Sequence, residues 1–360
     1  MTPASAALLL GGLVVLVVGG EVLVRGAGGV ARALGMSPLL VGLTVVAFAT
    51  SAPELAVSLK ATLGGTAGLA VGNVVGSNIA NILLVLGASA VILPVRVESR
   101  VLRRDVPVVV GLSGLVLGMS LDARISRAEG ALLLVVLAAY VVGTVLAARH
   151  AASHRPTDHR ETTATPAAGM LRDLLLVGLG VAFLVVGADW LVDGASRVAR
   201  SFGITDLVIG LTVVAVGTSL PELVTSIIAA LRSEQDIAVG NVVGSSVVNL
   251  GGVLGLCALL AADGIPIEPA AVRFDLPFMV ATAIALLPAA FTGLAIARWE
   301  GAVFVAYYAA YLAYLVLTAT SHPALPAFSA AMRIFVIPLT LITAGVLVGH
   351  QLHRRRAAAS

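Results

Sequence analysis

Residues 42–87 and 210–255 are two copies of one sequence: at a constant offset of 168, 26 of the 46 positions are identical. A duplication constrains the fold before any single residue is read, because both copies must build the same local structure. The opening segments repeat too, GGEVLVRGA (19–27) over GADWLVDGA (187–195). Later ones repeat at slightly larger offsets, RRDVP (103–107) over RFDLP (273–277) and ISRAEGA (125–131) over IARWEGA (296–302).

With 59% hydrophobic and 11% charged residues, the chain reads as a polytopic membrane protein. Apolar runs fall near 4–24, 38–62, 67–93, 106–121, 127–148, 171–192, 205–231, 236–261, 274–296, 299–319 and 327–349. Most suffice to cross a hydrocarbon core of about 30 Å as a helix, and they are not the short alternating segments of a barrel. The first run has no basic region before it and is longer than a signal-peptide core, so it is expected to be an uncleaved span. The single cysteine, Cys257, lies in an apolar run and reads as a small core residue.

Each copy therefore holds five helices. The expected organisation is a first repeat over 1–148, a polar linker over 149–170, a second repeat over 171–319, and an extra transmembrane helix with a basic tail over 320–360. An odd-numbered repeat enters the membrane from opposite sides in its two copies, which predicts an all-α protein of inverted-topology 5+5 architecture. Charge supports one orientation. With the N-terminus outside, 15 of the 22 Lys+Arg residues fall on the cytoplasmic side, and Arg25 of the first copy is replaced at the equivalent external position by Asp193. The linker and tail are then cytoplasmic, in a plasma (inner) membrane protein.

Glu54 recurs as Glu222, in ATSAPE and GTSLPE, near the middle of the second helix of each copy. A charged group there costs roughly 2.5 to 3.5 kcal/mol to insert, so a symmetric pair points to function rather than packing. Pro53 and Pro221 lack an N–H and crowd the carbonyls of Ala49 and Gly217, breaking each helix beside its acid. Thr50, Ser51, Thr218 and Ser219 add hydroxyl oxygens. The third helix of each copy carries AVGNVVGSNIAN (70–81) or AVGNVVGSSVVN (238–249). Gly72, Gly76, Gly240 and Gly244 read as close-packing positions. Ser77 and Asn81, like Ser245 and Asn249, stand four apart and share one helix face. Two carboxylates with hydroxyl, amide and freed carbonyl oxygens, and no converging His or Cys, suit a hard cation. Ca2+ fits best, because two glutamates neutralise its charge and about 6 to 8 oxygens are its usual complement; Na+ can use the same oxygens, and Mg2+ is disfavoured by its stricter octahedron. The acidic pair Glu21 and Asp189 also recurs, and Glu21 is expected to pair locally with Arg25.

The paired G-T-S-x-P-E and G-N-x-x-G-S-x-x-x-N segments resemble the cation/Ca2+ antiporter superfamily, in particular its sodium/calcium exchanger family, over residues 4 to 319. The resemblance implies alternating-access antiport rather than enzyme chemistry. It places ions between the broken second and third helices of each half, with the first and sixth helices sliding. It implies ligands Glu54 and Glu222 at the centre, Thr50, Ser51, Thr218 and Ser219 beside them, and Ser77, Asn81, Ser245 and Asn249 opposite, with the carbonyls of Ala47 and Ala215 completing outer sites. Two departures stand out. Ala49 replaces a glycine, and Asn249 stands where many sodium/calcium exchangers carry an aspartate. A site of formal charge −2 is balanced by one Ca2+, two Na+ or two protons, but not by three Na+. The expected function is Ca2+ exchange for Na+, with Ca2+/H+ exchange as the alternative. A passive channel and a transport-inactive scaffold are the competing classes. No nucleotide-binding motif, no cofactor and no nucleic-acid partner is expected.

Overall fold

The computed structural model describes residues 3–34, 36–153, 167–290, 294–341 and 345. The first five-helix set comprises α1 (Pro3–Leu34), α2 (Pro38–Thr50 and Ala52–Leu63), α3 (Gly68–Ile92), α4 (Val101–Asp122) and α5 (Arg127–Ser153). The second comprises α6 (Ala167–Ser201), α7 (206–218 and Leu220–Leu231), α8 (Gln235–Leu260), α9 (271–284) and α10 (Arg298–Ala319). An added helix, α11 (Leu325–Leu341), follows. Among the described residues seven helices are long and apolar enough to cross a membrane, or nine when α2 and α7 each count as one bent span. Large apolar side chains such as Leu10, Val14, Val135 and Leu175 are exposed around the outside, as lipid contact requires.

The two sets are related as an inverted repeat down to their connections. β1 (Val95–Arg96) pairs antiparallel with β4 (Ala295–Ile296), and β2 (Arg124–Ile125) pairs with β3 (Ile265–Pro266). Repeat symmetry takes β1 to β3 and β2 to β4, so each short ribbon is the image of the other. Both join one half to its mate. Gly87 packs on Gly301 between α3 and α10, and Gly255 packs on Gly130 between α8 and α5, as a second symmetric pair.

α1 and α6 run against one another along their length through glycines spaced by seven, Gly12, Gly19 and Gly26 facing Gly180, Gly187 and Gly194. A Cβ on Gly12 would meet Leu191 N at 2.7 Å, and one on Gly187 would meet Leu16 N at 2.7 Å, so only glycine permits this approach. The interior is divided. One hydrophobic core runs through α3, α4, α5, α8, α9 and α10; a second holds Leu16, Leu23, Leu184 and their neighbours on α1 and α6, with the facing residues Val41, Val46, Ala229 and Ile237.

Several element limits differ from the apolar runs: α1 and α6 continue past theirs to Leu34 and Ser201, and two further limits have a clear cause. α9 ends at Ile284, well short of 296, because Pro288 excludes a continuing helix and a 3-10 turn takes Leu287–Ala290. α4 starts at Val101, five residues before its run. Its first turn and that of α9 are wide π-turns, Val101–Asp105 and Ala271–Asp275. The Asp closing each turn is held across the bundle by a tyrosine: Tyr140 donates to Asp105 Oδ1 at 3.2 Å and Tyr311 to Asp275 Oδ1 at 3.0 Å. The centre of the 149–170 linker, 154–166, and the tail beyond 345 lie outside the described residues. α11 docks on α10, with Tyr307 Oη donating to Thr340 Oγ1 at 2.7 Å.

Candidate ion-binding site

Both second helices break two residues before their proline. Ser51 (φ −78°, ψ 1°) and Ser219 (φ −91°, ψ 6°) leave helical geometry, and a new helix starts at Ala52 or Leu220 with the proline in its first turn. Proline is well tolerated there, since that N–H has no partner inside the helix. The axes bend by 41° in α2 and 53° in α7. Glu54 and Glu222 thus occupy the first turn of a twelve-residue helix, where the positive end of the helix dipole favours an anion.

A neighbouring helix holds each carboxylate's backbone. Asn73 on α3 donates to the Glu54 carbonyl (3.2 Å) and to Ser58 Oγ (2.9 Å); Asn241 on α8 donates to the Glu222 carbonyl (3.4 Å) and to Ser226 Oγ (3.0 Å). Sequence reasoning did not single out these asparagines. The signal was present: Gly-Asn recurs at the same place in both copies, 168 residues apart. With the backbone secured, the side chains are left for other work.

Glu54, Glu222, Ser219, Ser245 and Asn249 have no exposed surface, and Thr50, Ser51, Ser77 and Asn81 have 1 to 3%. Ser77 Oγ donates to Glu54 Oε1 at 3.4 Å. Many of the remaining polar atoms are orphaned: Ser51 Oγ, Glu54 Oε2, both oxygens of Glu222, Ser219 Oγ, and both amide atoms of Asn81 and Asn249 have no hydrogen-bond partner. Buried polar groups are seldom left so, and this concentration at two helix breaks marks a place built for a polar guest. Asn81 opens one wide π-turn (Asn81–Leu86), and Asn249 is the second residue of its counterpart, Val248–Val253. Such turns occur often at functional sites. Among the described residues no three His, Cys, Asp or Glu side chains converge, so the centre is two carboxylates surrounded by neutral oxygens.

The two halves of the site are not in the same condition. Thr50 Oγ1 donates to Asn241 at 2.9 Å and lies 3.2 Å from Ser245 Oγ, whose own hydroxyl is 3.5 Å from the buried Ala47 carbonyl. Among the described residues Thr218 bonds only to Ala215 O within its own helix, at 3.3 Å, and Ala215 is exposed. The glycines follow the same division. A Cβ on Gly240 would meet Leu39 O at 2.7 Å and one on Gly244 would meet Ala47 Cβ at 2.7 Å, the expected close packing. Gly72, Gly76 and Gly210 have no atom within 4 Å of that position, so the packing expected of Gly72 and Gly76 is not made. The first half of α2 is therefore closed onto α8, whereas the first half of α7 packs more loosely against α3.

A family profile described as "Sodium/calcium exchanger protein" matches residues 4–146 and again 173–317. The chain is 34% identical over 344 residues to the sodium/calcium exchanger MaX1 of Methanosarcina acetivorans, covering 86% of this chain and 97% of MaX1. It is 38% identical over 286 residues to the inner membrane protein YrbG of Escherichia coli, covering 78% of this chain and 86% of YrbG. A structure of the sodium-calcium exchanger NCX_Mj, soaked with Na+ and without Ca2+, superposes with a TM-score of 0.73 at 32% identity, over 87% of this chain and 99% of that one. Duplicated family match, full-length relatives and shared fold agree, and the chain belongs to the sodium/calcium exchanger family.

Proposed function

We propose that the chain is a secondary antiporter that carries Ca2+ in one direction and Na+ in the other through the Glu54–Glu222 centre. The observation that carries the reading is a pair of symmetry-related carboxylates, buried at facing helix breaks with three of their four oxygens unpartnered. In this reading Ca2+ bridges Glu54 and Glu222 with Thr50 and Thr218 beside it. Ser51, Ser77, Asn81, Ser219, Ser245 and Asn249, with the Ala47 and Ala215 carbonyls, supply the further oxygens for Ca2+ or Na+. Two relatives with sodium/calcium exchange in their names, MaX1 and NCX_Mj, support Na+ as the coupling ion. The membrane is the inner (plasma) membrane, as for YrbG, with the N-terminus outside and the 149–170 linker and tail cytoplasmic. Repeats over 1–148 and 171–319 act as the two rocking halves, and 320–360 is an appendage.

The loosely packed side then faces outward, because the first half of α7 begins on the external side. An ion enters beside Thr218 and Ala215, sheds water onto the oxygens of both acids, and draws α7 toward α3 as the site fills. Closure there and opening beside Thr50 release it to the other side.

Asn249 favours a second reading, Ca2+/H+ exchange, because two acids balance two protons as well as two Na+. Proteoliposomes holding Ca2+ separate the two. Efflux that follows an imposed Na+ gradient, unchanged by collapsing a pH gradient, supports Na+ coupling; dependence on the pH gradient alone overturns it. With two acids the Na+ exchange is electroneutral. Asn249→Asp is expected to admit a third Na+ and make flux respond to membrane potential.

A further inference from the structure

The linker-side ends of α1 and α6 meet the turn between α7 and α8 around an open cavity of about 420 Å3. Arg25 and Arg32 of α1, Arg172 of α6 and Arg232 of the turn line it, and Val24 and Leu176 give it an apolar wall. Three carboxylates stand nearby. Glu21 lies 2.6 Å from Arg25 and accepts from Arg232 Nε at 2.6 Å, so the local pair expected from sequence is extended to a second helix. Asp173 is buried and holds Arg172 at 2.8 Å; Glu234 lies on the rim of the cavity. Arg32 has no acidic partner among the described residues and folds over Gly28. One positive charge is in excess. Each guanidinium also carries five donors, most of them unused by these pairs.

The repeat isolates what is peculiar here. At the symmetry-equivalent end of α1 and α6, Arg25, Arg172 and Arg232 are matched by Asp193, Ala4 and Gly64, and only Arg32 has a basic counterpart, Arg200. The fold therefore does not need these arginines. The excess of basic residues on the cytoplasmic side accounts for their sign, but not for their convergence on a cavity.

We propose that this cavity binds a phosphate-bearing anion, the headgroup of an anionic phospholipid being the form present at that membrane face. Planar guanidiniums match pairs of phosphate oxygens, and the apolar wall suits the glycerol and first methylenes of a lipid. The cavity joins the α1–α6 pair to the α7–α8 turn, so its occupant bridges three segments far apart in the chain.

Native mass spectrometry of the full chain, released from detergent with dioleoyl phosphatidylglycerol, dioleoyl phosphatidylcholine or inorganic phosphate, tests this. One phosphatidylglycerol is expected to be retained in preference to phosphatidylcholine. Arg32→Gln should weaken retention about fivefold and Arg25→Gln/Arg32→Gln about twenty-five-fold, with Glu21 still held by Arg232. Gly28→Leu, which fills the cavity and leaves the charge unchanged, should abolish it with the melting temperature intact. Arginine-dependent binding of inorganic phosphate without lipid would also support the site and assign it a free anion. Retention indifferent to all three variants, or equal for the two lipids, overturns the proposal. No ion flux enters this readout, so failure here leaves the antiport reading standing.

Discussion

The first halves of α2 and α7 share the sequence GLTVVA and the same T-S-x-P-E break, yet Val46 is fully buried whereas its counterpart Val214 is 43% exposed. Thr50 reaches across to Asn241 and Ser245, and Thr218 reaches only its own helix. Identical residues in different packing mean that the sequence encodes both conditions, and that the two differ by a few hydrogen bonds and one close helix contact. That is a small free-energy gap, of the size that the ion binding proposed at Glu54 and Glu222 would reverse.

The comparison breaks most severely at the shared centre. Glu54→Gln and Glu222→Gln should each lower Ca2+ flux about a hundredfold or more, equally, because the acids serve both conditions. Unequal losses in isotope-flux assays would mean that the two are not equivalent ligands. The glycines separate the halves. Gly240→Val forces a side chain into the Leu39 backbone and should lower stability by about 1 to 3 kcal/mol; Gly72→Val meets open space and should leave stability unchanged while slowing flux. Thermal melting of both variants checks this.

Accessibility gives a direct measure of the asymmetry. In a Cys257→Ala background, Ala215→Cys should react with an externally added, membrane-impermeant thiol reagent roughly tenfold or more faster than Ala47→Cys does from the linker side, since the closed position is reached only through transient opening. The smallest effect belongs to the threonines. Thr50→Val should loosen the closed side by about 1 kcal/mol, read as faster labelling of Ala47→Cys; Thr218→Val should leave labelling of Ala215→Cys unchanged.

Much of this architecture was legible because the chain carries its own comparison. Positions 42–87 against 210–255 expose the acids, the prolines and the Ser/Asn faces without reference to any other protein. Hydropathy reads the helix limits less well. The start of α4 hides Arg103, Arg104 and Asp105 in what looks like a loop, because an apolarity scan cannot see that Tyr140 will donate to the buried aspartate. The end of α9 is obscured in the opposite way: Leu286 to Leu294 remains apolar after the helix has stopped. Which side of the site is packed more loosely cannot be read at all, since both copies present the same letters at the decisive positions.

The two separate hydrophobic interiors carry one last implication. The smaller interior is shared, since Val41, Val46, Ala229 and Ile237 of α2, α7 and α8 pack into it beside α1 and α6, whereas the larger one takes no residue from that pair. A displacement of α1 and α6 would therefore exchange contacts within the smaller interior only, and the larger one would escape the cost of an opened hole, about 24 cal/mol for every Å3. Heptad glycines at 12, 19 and 26, facing 180, 187 and 194, fasten α1 and α6 into one piece, so any such displacement would carry both together.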